Sequence, residues 1–160
     1  MNKIFSSALV FFLFIYVVEA SAQQSVWTIH SATCEAINPA QSQKMQWRAT
    51  GLVNRDPSRS LWVLCPVISK FFDSNSQDSY ISMIVANDNP QSIKVRCLLR
   101  VGEANTFTMQ SFSNTQTVFP DDAVDFSWEL ENKSIIWPSI ACKLPPNGVI
   151  AGIIAGYENF

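Results

Sequence analysis

The chain has 160 residues with 11 basic side chains against 13 acidic ones, a net charge of −2, and five tryptophans. That length fits one domain with a real core, and its scattered Lys and Arg exclude nucleic acid as a partner, because phosphate binding needs clustered cations. No two cysteines stand two to four residues apart and His30 is the single histidine, so zinc and iron–sulfur sites are excluded; no metal or other cofactor is expected.

The first segment carries an address. Lys3, the apolar stretch 8–18 and Ala20-Ser21-Ala22 follow the order of an export signal, which predicts a signal peptide over 1–22 and a mature domain over 23–160. The apolar stretch falls short of the roughly 18 residues of a membrane span, and Glu19 closes it. Lys3 and Glu19 leave together, so ten basic and twelve acidic residues remain. The expected location is secreted or periplasmic, with no transmembrane segment in the mature chain.

Beyond residue 25, short alternating segments separated by Asn, Asp, Ser, Pro and Gly read as strands, and helical periodicity is nearly absent. The pattern predicts strands over 26–33 and 44–53, a polar loop over 54–60, and a strand over 61–68 that is apolar on both faces and so runs through the middle of a sheet. The next strand, 80–87, leads through Asp88-Asn89-Pro90 into 93–101, as a hairpin. In 93–101, Ile93, Val95, Cys97, Leu99 and Val101 share one face, and Lys94, Arg96 and Arg100 share the other. Those three cations are expected to be solvent-exposed and to form no anion site. Further strands are expected over 106–112, 115–119, 124–131, 136–144 and 149–157. In 124–131, Val124, Phe126, Trp128 and Leu130 point inward, while Asp125, Ser127, Glu129 and Glu131 point outward, where they could lie beside the basic face. The apolar run 149–155 is too short and too glycine-broken to span a bilayer and reads as a closing strand buried on both faces, with glycines where a neighbouring backbone approaches. Nine or ten such strands make an all-β fold: a single antiparallel β-sandwich, jelly-roll or Greek-key in connectivity.

Cys34, Cys65, Cys97 and Cys142 form an even set in an exported chain, which predicts two disulfides. Cys65 and Cys97 both lie on apolar strand faces, so the expected pairing is Cys65 with Cys97 and Cys34 with Cys142.

The order Gly51-Leu52-Val53-Asn54, Cys65-Pro66, Cys97, Cys142-Lys143-Leu144-Pro145-Pro146 resembles that of a loose group of small exported bacterial proteins of unassigned function. The resemblance implies export, a bacterial source and a β-rich domain, and adds no site residues. It points away from glycosylation at Asn132-Lys133-Ser134.

Chemistry-bearing clusters are few. Asp73-Ser74-Asn75-Ser76-Gln77-Asp78 starts like a calcium loop but has Asp78 and Ile84 where Gly and Glu are needed. Pro120-Asp121-Asp122, with Asp125 following, reads as an ordinary turn. Asp125, Glu129 and Glu131 have the spacing of a solvated strand face rather than of a glycosidase pair. There is no G-x-S-x-G elbow, and His30 reads as structural or exposed, so no catalytic residue is assigned. Trp47 and Trp128 are expected in the core, with the indole N–H meeting a backbone acceptor. Trp62, Phe71, Phe72 and Tyr80 are expected at the surface, as candidate ligand-binding residues. These features describe a small exported non-enzymatic protein that binds or assembles at the cell exterior or in the periplasm, with an envelope glycan or protein as partner. A carbohydrate-binding module using exposed aromatics is the second reading. A small glycan-active or calcium-dependent enzyme is the third.

Overall fold

A computed structural model describes residues 23–67, 78–103, 108–131 and 135–159. The stretch 1–22 expected to be a signal peptide, Phe71, Phe72, the calcium-loop-like stretch starting at Asp73 and the sequon at Asn132 therefore lie wholly or partly outside the described residues. Eleven strands are present among the described residues: β1 Gln23–His30, β2 Glu35–Ala36, β3 Met45–Arg48, β4 Gly51–Asn54, β5 Leu61–Pro66, β6 Asp78–Asn87, β7 Ile93–Glu103, β8 Met109–Val118, β9 Ala123–Glu131, β10 Ile135–Leu144 and β11 Gly148–Asn159. They form two antiparallel sheets. The first runs β3-β4-β11-β6-β9, with β1 also paired to β11, and the second runs β2-β5-β10-β7-β8.

The fold is the predicted sandwich, and its connectivity is that of a jelly roll. Successive strands alternate between the sheets, and only β3–β4 and β7–β8 remain within one. The expected hairpin between 80–87 and 93–101 is therefore overturned: β6 belongs to the first sheet and β7 to the second. Asp88-Asn89-Pro90 marks a change of direction, but five linking residues reach across the ~10 Å between packed sheets as readily as they turn within one. The same alternation separates the two charged faces. Lys94, Arg96 and Arg100 are exposed on the outside of the second sheet, and Asp125, Ser127 and Glu129 are exposed on the outside of the first, so they do not lie side by side. The segment 44–53 is a tight hairpin, β3–β4, rather than one strand, and 106–112 with 115–119 merge into the single strand β8.

Period-two alternation supplies the core. Leu52, Ile81, Met83, Phe126, Ile150 and Ile153 from the first sheet, with Leu61, Val63, Leu99, Ile140 and Leu144 from the second, are fully buried. Trp128 joins them beside Phe126, but its indole N–H finds no acceptor among the described residues, contrary to expectation. Trp47 is not a core residue: it is 45% exposed, because β3 is the outermost strand of its sheet and an inward register there overhangs the rim.

The disulfides join Cys34 to Cys65 and Cys97 to Cys142, so the expected pairing is wrong although all four cysteines are bridged. Cys97 and Cys142 are direct register partners on β7 and β10, and Cys34 immediately precedes β2, which pairs with β5. A shared apolar face says that cysteines point into the core; only strand order says which ones meet. Cys142 Sγ also lies 3.1 Å from Met83 Sδ, a contact between the sheets.

One end of the sandwich is held by two buried asparagines that do the same job. Asn54, closing β4, donates from Nδ2 to Leu144 O at 2.9 Å and Arg59 O at 2.9 Å, while its Oδ1 accepts from Asp56 N. Asn87, closing β6, donates to Val118 O at 3.1 Å and Gln91 O at 2.9 Å, and its Oδ1 accepts from Asn89 N. Each thus ties a first-sheet strand end to its own crossover loop and to the end of a second-sheet strand. Gly51, at φ +136°, sits so close to β11 that a Cβ there would meet Ile150 O at 2.1 Å, which restricts the position to glycine.

Candidate functional site

The outer face of the second sheet carries a row of side chains set by register alone. Trp62 on β5 is opposite Lys143 on β10, Lys143 is opposite Arg96 on β7, and Arg96 is opposite Thr115 on β8. Neighbouring strands lie about 4.8 Å apart, so this row spans roughly 14 Å of backbone. It lines an open cleft of about 430 Å³ together with Ser60 and Lys94. Trp62 is half-buried, whereas Lys94, Arg96, Thr115 and Lys143 are exposed.

Flanking rows continue the surface. Leu64, Ala141 and Leu98 form an apolar floor one step along the sheet, ending at Ser113, and Ser111, Ser113, Thr115 and Thr117 line up their hydroxyls along β8. The cleft is also well anchored. The Cys97–Cys142 bridge joins the residues next to Arg96 and Lys143, and Asn54 and Asn87 hold Leu144 and Val118 at the same end of the sheet.

The aromatic residues singled out from the sequence are not gathered into one site. Trp62 lies in this cleft. Tyr80 is on β6, on the outside of the opposite sheet, half-buried with its ring over Gly156, where a Cβ would meet the ring at 2.7 Å. That side also carries Asp125 and Glu129, opposite Ile84 and Tyr80. On β11, Gly156 and Gly148 are crowded, the latter by Leu144 Cδ1 at 2.9 Å and Pro145 O at 3.1 Å, whereas a Cβ at Gly152 would have nothing nearer than Ile29 O at 4.0 Å.

Lys143, Thr115 and Ser60 could not be assigned from sequence, because their partners are fixed by strand order. Trp137, within the expected strand 136–144 and so able from sequence to fill the core, does not do so. It is 67% exposed in a bulge of β10 and adopts φ +49°, unusual for a bulky residue, just before Pro138. The Asp121-Asp122 segment forms the expected turn, with Asp122 Oδ1 accepting from Ala123 N at 2.8 Å. A second hollow of about 230 Å³ lies among Asn89, Pro90, Gln91, Ser92, Ile93, Pro145 and Pro146, and these described residues include neither a charged nor an aromatic side chain. Among the described residues, no group of three or more His, Cys, Asp or Glu could hold a metal ion, and no helix is long and apolar enough to cross a membrane.

No family model and no curated protein matches the chain. Among solved structures, it is similar to the CBM22-1–GH10 modules of Clostridium thermocellum endo-1,4-β-D-xylanase 10B complexed with xylohexaose, at 8% identity and a TM-score of 0.49 over 81% of this chain; it spans about a quarter (26%) of that protein. It is also similar to the xylan-binding module CBM15, at 8% identity and a TM-score of 0.49 over 84% of this chain and 97% of that one. A third is CBM29_1, a family 29 carbohydrate-binding module from Piromyces equi, at 14% identity and a TM-score of 0.43 over 88% of this chain and 92% of that one.

Proposed function

We propose that this chain is a small exported, non-enzymatic glycan-binding domain of the cell exterior or periplasm, holding a saccharide on the outer face of its second sheet. The observation that carries the reading is the cross-strand row of Trp62, Lys143, Arg96 and Thr115 in its open cleft. An indole offers a flat apolar surface to the C–H face of a sugar ring, and the adjoining donors and hydroxyls meet the ring's oxygens. All four side chains stand on strands, two of which are bridged by a disulfide, so little ordering is required on binding.

The competing readings lack such support. Among the described residues no carboxylate lines the cleft, so they supply it with no acid pair for glycoside hydrolysis. Asp125 and Glu129 lie on the other side of the sandwich and project from one strand rather than across a gap. Assembly through an apolar sheet edge does not suit β8, whose outer positions after Met109 at its start are Ser111, Ser113, Thr115 and Thr117. Export is supported by the leader and by two disulfides, which persist in oxidising compartments.

A glycan array probed with the mature protein, Trp62→Ala and Tyr80→Ala tests the reading. Binding that survives Tyr80→Ala and is lost in Trp62→Ala supports it; the reverse pattern moves the site to the first sheet and overturns it.

A further inference from the structure

The charge on this face is not needed to hold a neutral sugar, and it is lopsided. Lys94, Arg96, Arg100 and Lys143 are all exposed there, and none has an ion-pair partner among the described residues. The one carboxylate that the register places on the same face among the described residues is Glu35, at the short edge strand β2 beside Leu64. Four cations against one anion stand on one face of a chain whose net charge is −2, and the opposite face carries Asp125 and Glu129. Three of the four cations line the Trp62 cleft itself. From sequence alone the three cations of the basic strand are expected to be solvated and to form no anion site, with an acidic strand that could lie beside them. The sheet order removes that neighbour and adds Lys143 to the set.

Resting on the glycan-binding reading, we infer that the ligand is an anionic polysaccharide, whose acidic groups are held by Lys143, Arg96 and Lys94 while a sugar ring stacks on Trp62. Arg96, central in the row, has a planar fork that matches a carboxylate or an ester anion with two parallel bonds. Lys143, one strand away, and Lys94, about 7 Å along β7, supply point charges to either side. The Cys97–Cys142 bridge fixes the spacing of Arg96 and Lys143, because each is the next residue to a bridged cysteine. The hydroxyl row of β8 continues the track for neutral parts of the chain. A polymer with an acidic group on some of its sugars satisfies the aromatic, the cations and the hydroxyls together. A nucleic-acid duplex, whose bases are already stacked on one another, or a lipid headgroup layer would use the cations and leave Trp62 idle.

The experiment is calorimetric titration of the mature protein, with its disulfides formed, against polygalacturonate, a sulfated glycan, a teichoic-type phosphate polymer, neutral xylan and mannan, duplex DNA, and vesicles rich in anionic lipid. Each is run at low and high salt on the wild type, the Lys94→Gln/Arg96→Gln/Lys143→Gln variant, Arg100→Gln and Trp62→Ala, and circular dichroism checks that every variant is folded. The expected result is binding to at least one acidic glycan that weakens with salt, falls roughly tenfold or more in the triple variant, falls in Trp62→Ala, and changes little in Arg100→Gln, which lies outside the cleft. The three acidic polymers identify carboxylate, sulfate or phosphate as the group read. Equal binding of neutral glycans, unchanged in the triple variant and lost in Trp62→Ala, overturns the anionic inference and leaves the glycan-binding reading standing. No glycan binding, with Trp62→Ala indistinguishable from wild type, overturns both. Tighter binding to DNA or to anionic vesicles than to any glycan also overturns the inference.

Discussion

Replacing Asn54 removes the tie that holds the cleft end of the second sheet to the first. The side chain is fully buried and makes three bonds of 2.9 Å, to Leu144 O, Arg59 O and Asp56 N. In Asn54→Ala, the Arg59 carbonyl and Asp56 amide are part-buried and can turn to water, at about 0.5–1.5 kcal/mol each. The bond to Leu144 O is buried, and losing it leaves a polar group without a partner, at about 1–3 kcal/mol. The sum centres near 4 kcal/mol, which at a urea m-value of about 2 kcal/mol/M lowers the midpoint by roughly 2 M. Equilibrium urea unfolding of the oxidised protein, followed by tryptophan fluorescence, measures it. Asn54→Asp is the sharper variant, since it keeps the volume but turns an acceptor toward two carbonyl oxygens. It should lose at least as much as Asn54→Ala at neutral pH. A loss below about 0.5 kcal/mol in Asn54→Ala, or a milder effect of Asn54→Asp, would refute the assignment of these bonds.

Three further outcomes follow from the same structure. Cys97→Ala/Cys142→Ala opens a loop closed over 45 residues and should cost about 4 kcal/mol on chain entropy, with weaker ligand binding because Arg96 and Lys143 lose their fixed spacing; unchanged melting and binding would contradict this. Gly51→Ala, with its Cβ driven against the Ile150 carbonyl at positive φ, should destabilise by about 3 kcal/mol, and a neutral result in thermal unfolding would show that β4 is placed differently. The Asp56 carboxyl is held below its usual 3.8, chiefly by the Ser58 N–H and also by the Arg59 N–H, the Ser58 hydroxyl and the charge of Lys44. A lowered folded pKa stabilises above the unfolded value and is lost as pH falls through the folded one. The urea midpoint should therefore drop more between pH 5 and pH 2 in wild type than in Asp56→Asn, whose Oδ1 still accepts the same bonds, and equal drops would contradict this.

Alternation made the sandwich legible before any coordinates. The inward faces of β7 and β9 are written as period-two apolar patterns, and each holds; β5, apolar on both faces, does run inside its sheet, but its outer face is only half-covered at Trp62 and Leu64 and exposed at Pro66. Partners across and between sheets are not written locally. Polarity places Lys143 outside but cannot place it between Trp62 and Arg96, and the cysteine pairs, the supposed β6–β7 hairpin and the supposed meeting of acidic and basic strands all failed for the same reason. Trp47 failed differently: its register is inward, but edge position leaves it uncovered. The Gly51–Asn54 and Cys142–Pro146 motifs acquire a physical meaning only in the fold, where Gly51 lies against Ile150, Asn54 bonds Leu144, and Pro146 accepts from Asn89 at 2.6 Å.

The most direct test of the ligand face is a backbone-amide NMR titration of the mature protein with the best-binding oligosaccharide. Shifts should concentrate at Trp62, Lys143, Arg96, Lys94, Thr115 and the Trp62 indole N–H, with Tyr80, Ser82, Ile84 and Ile154 unmoved. Shifts confined to Tyr80, Ser82, Ile84 and Ile154 would place the ligand on the first sheet and contradict the proposed face.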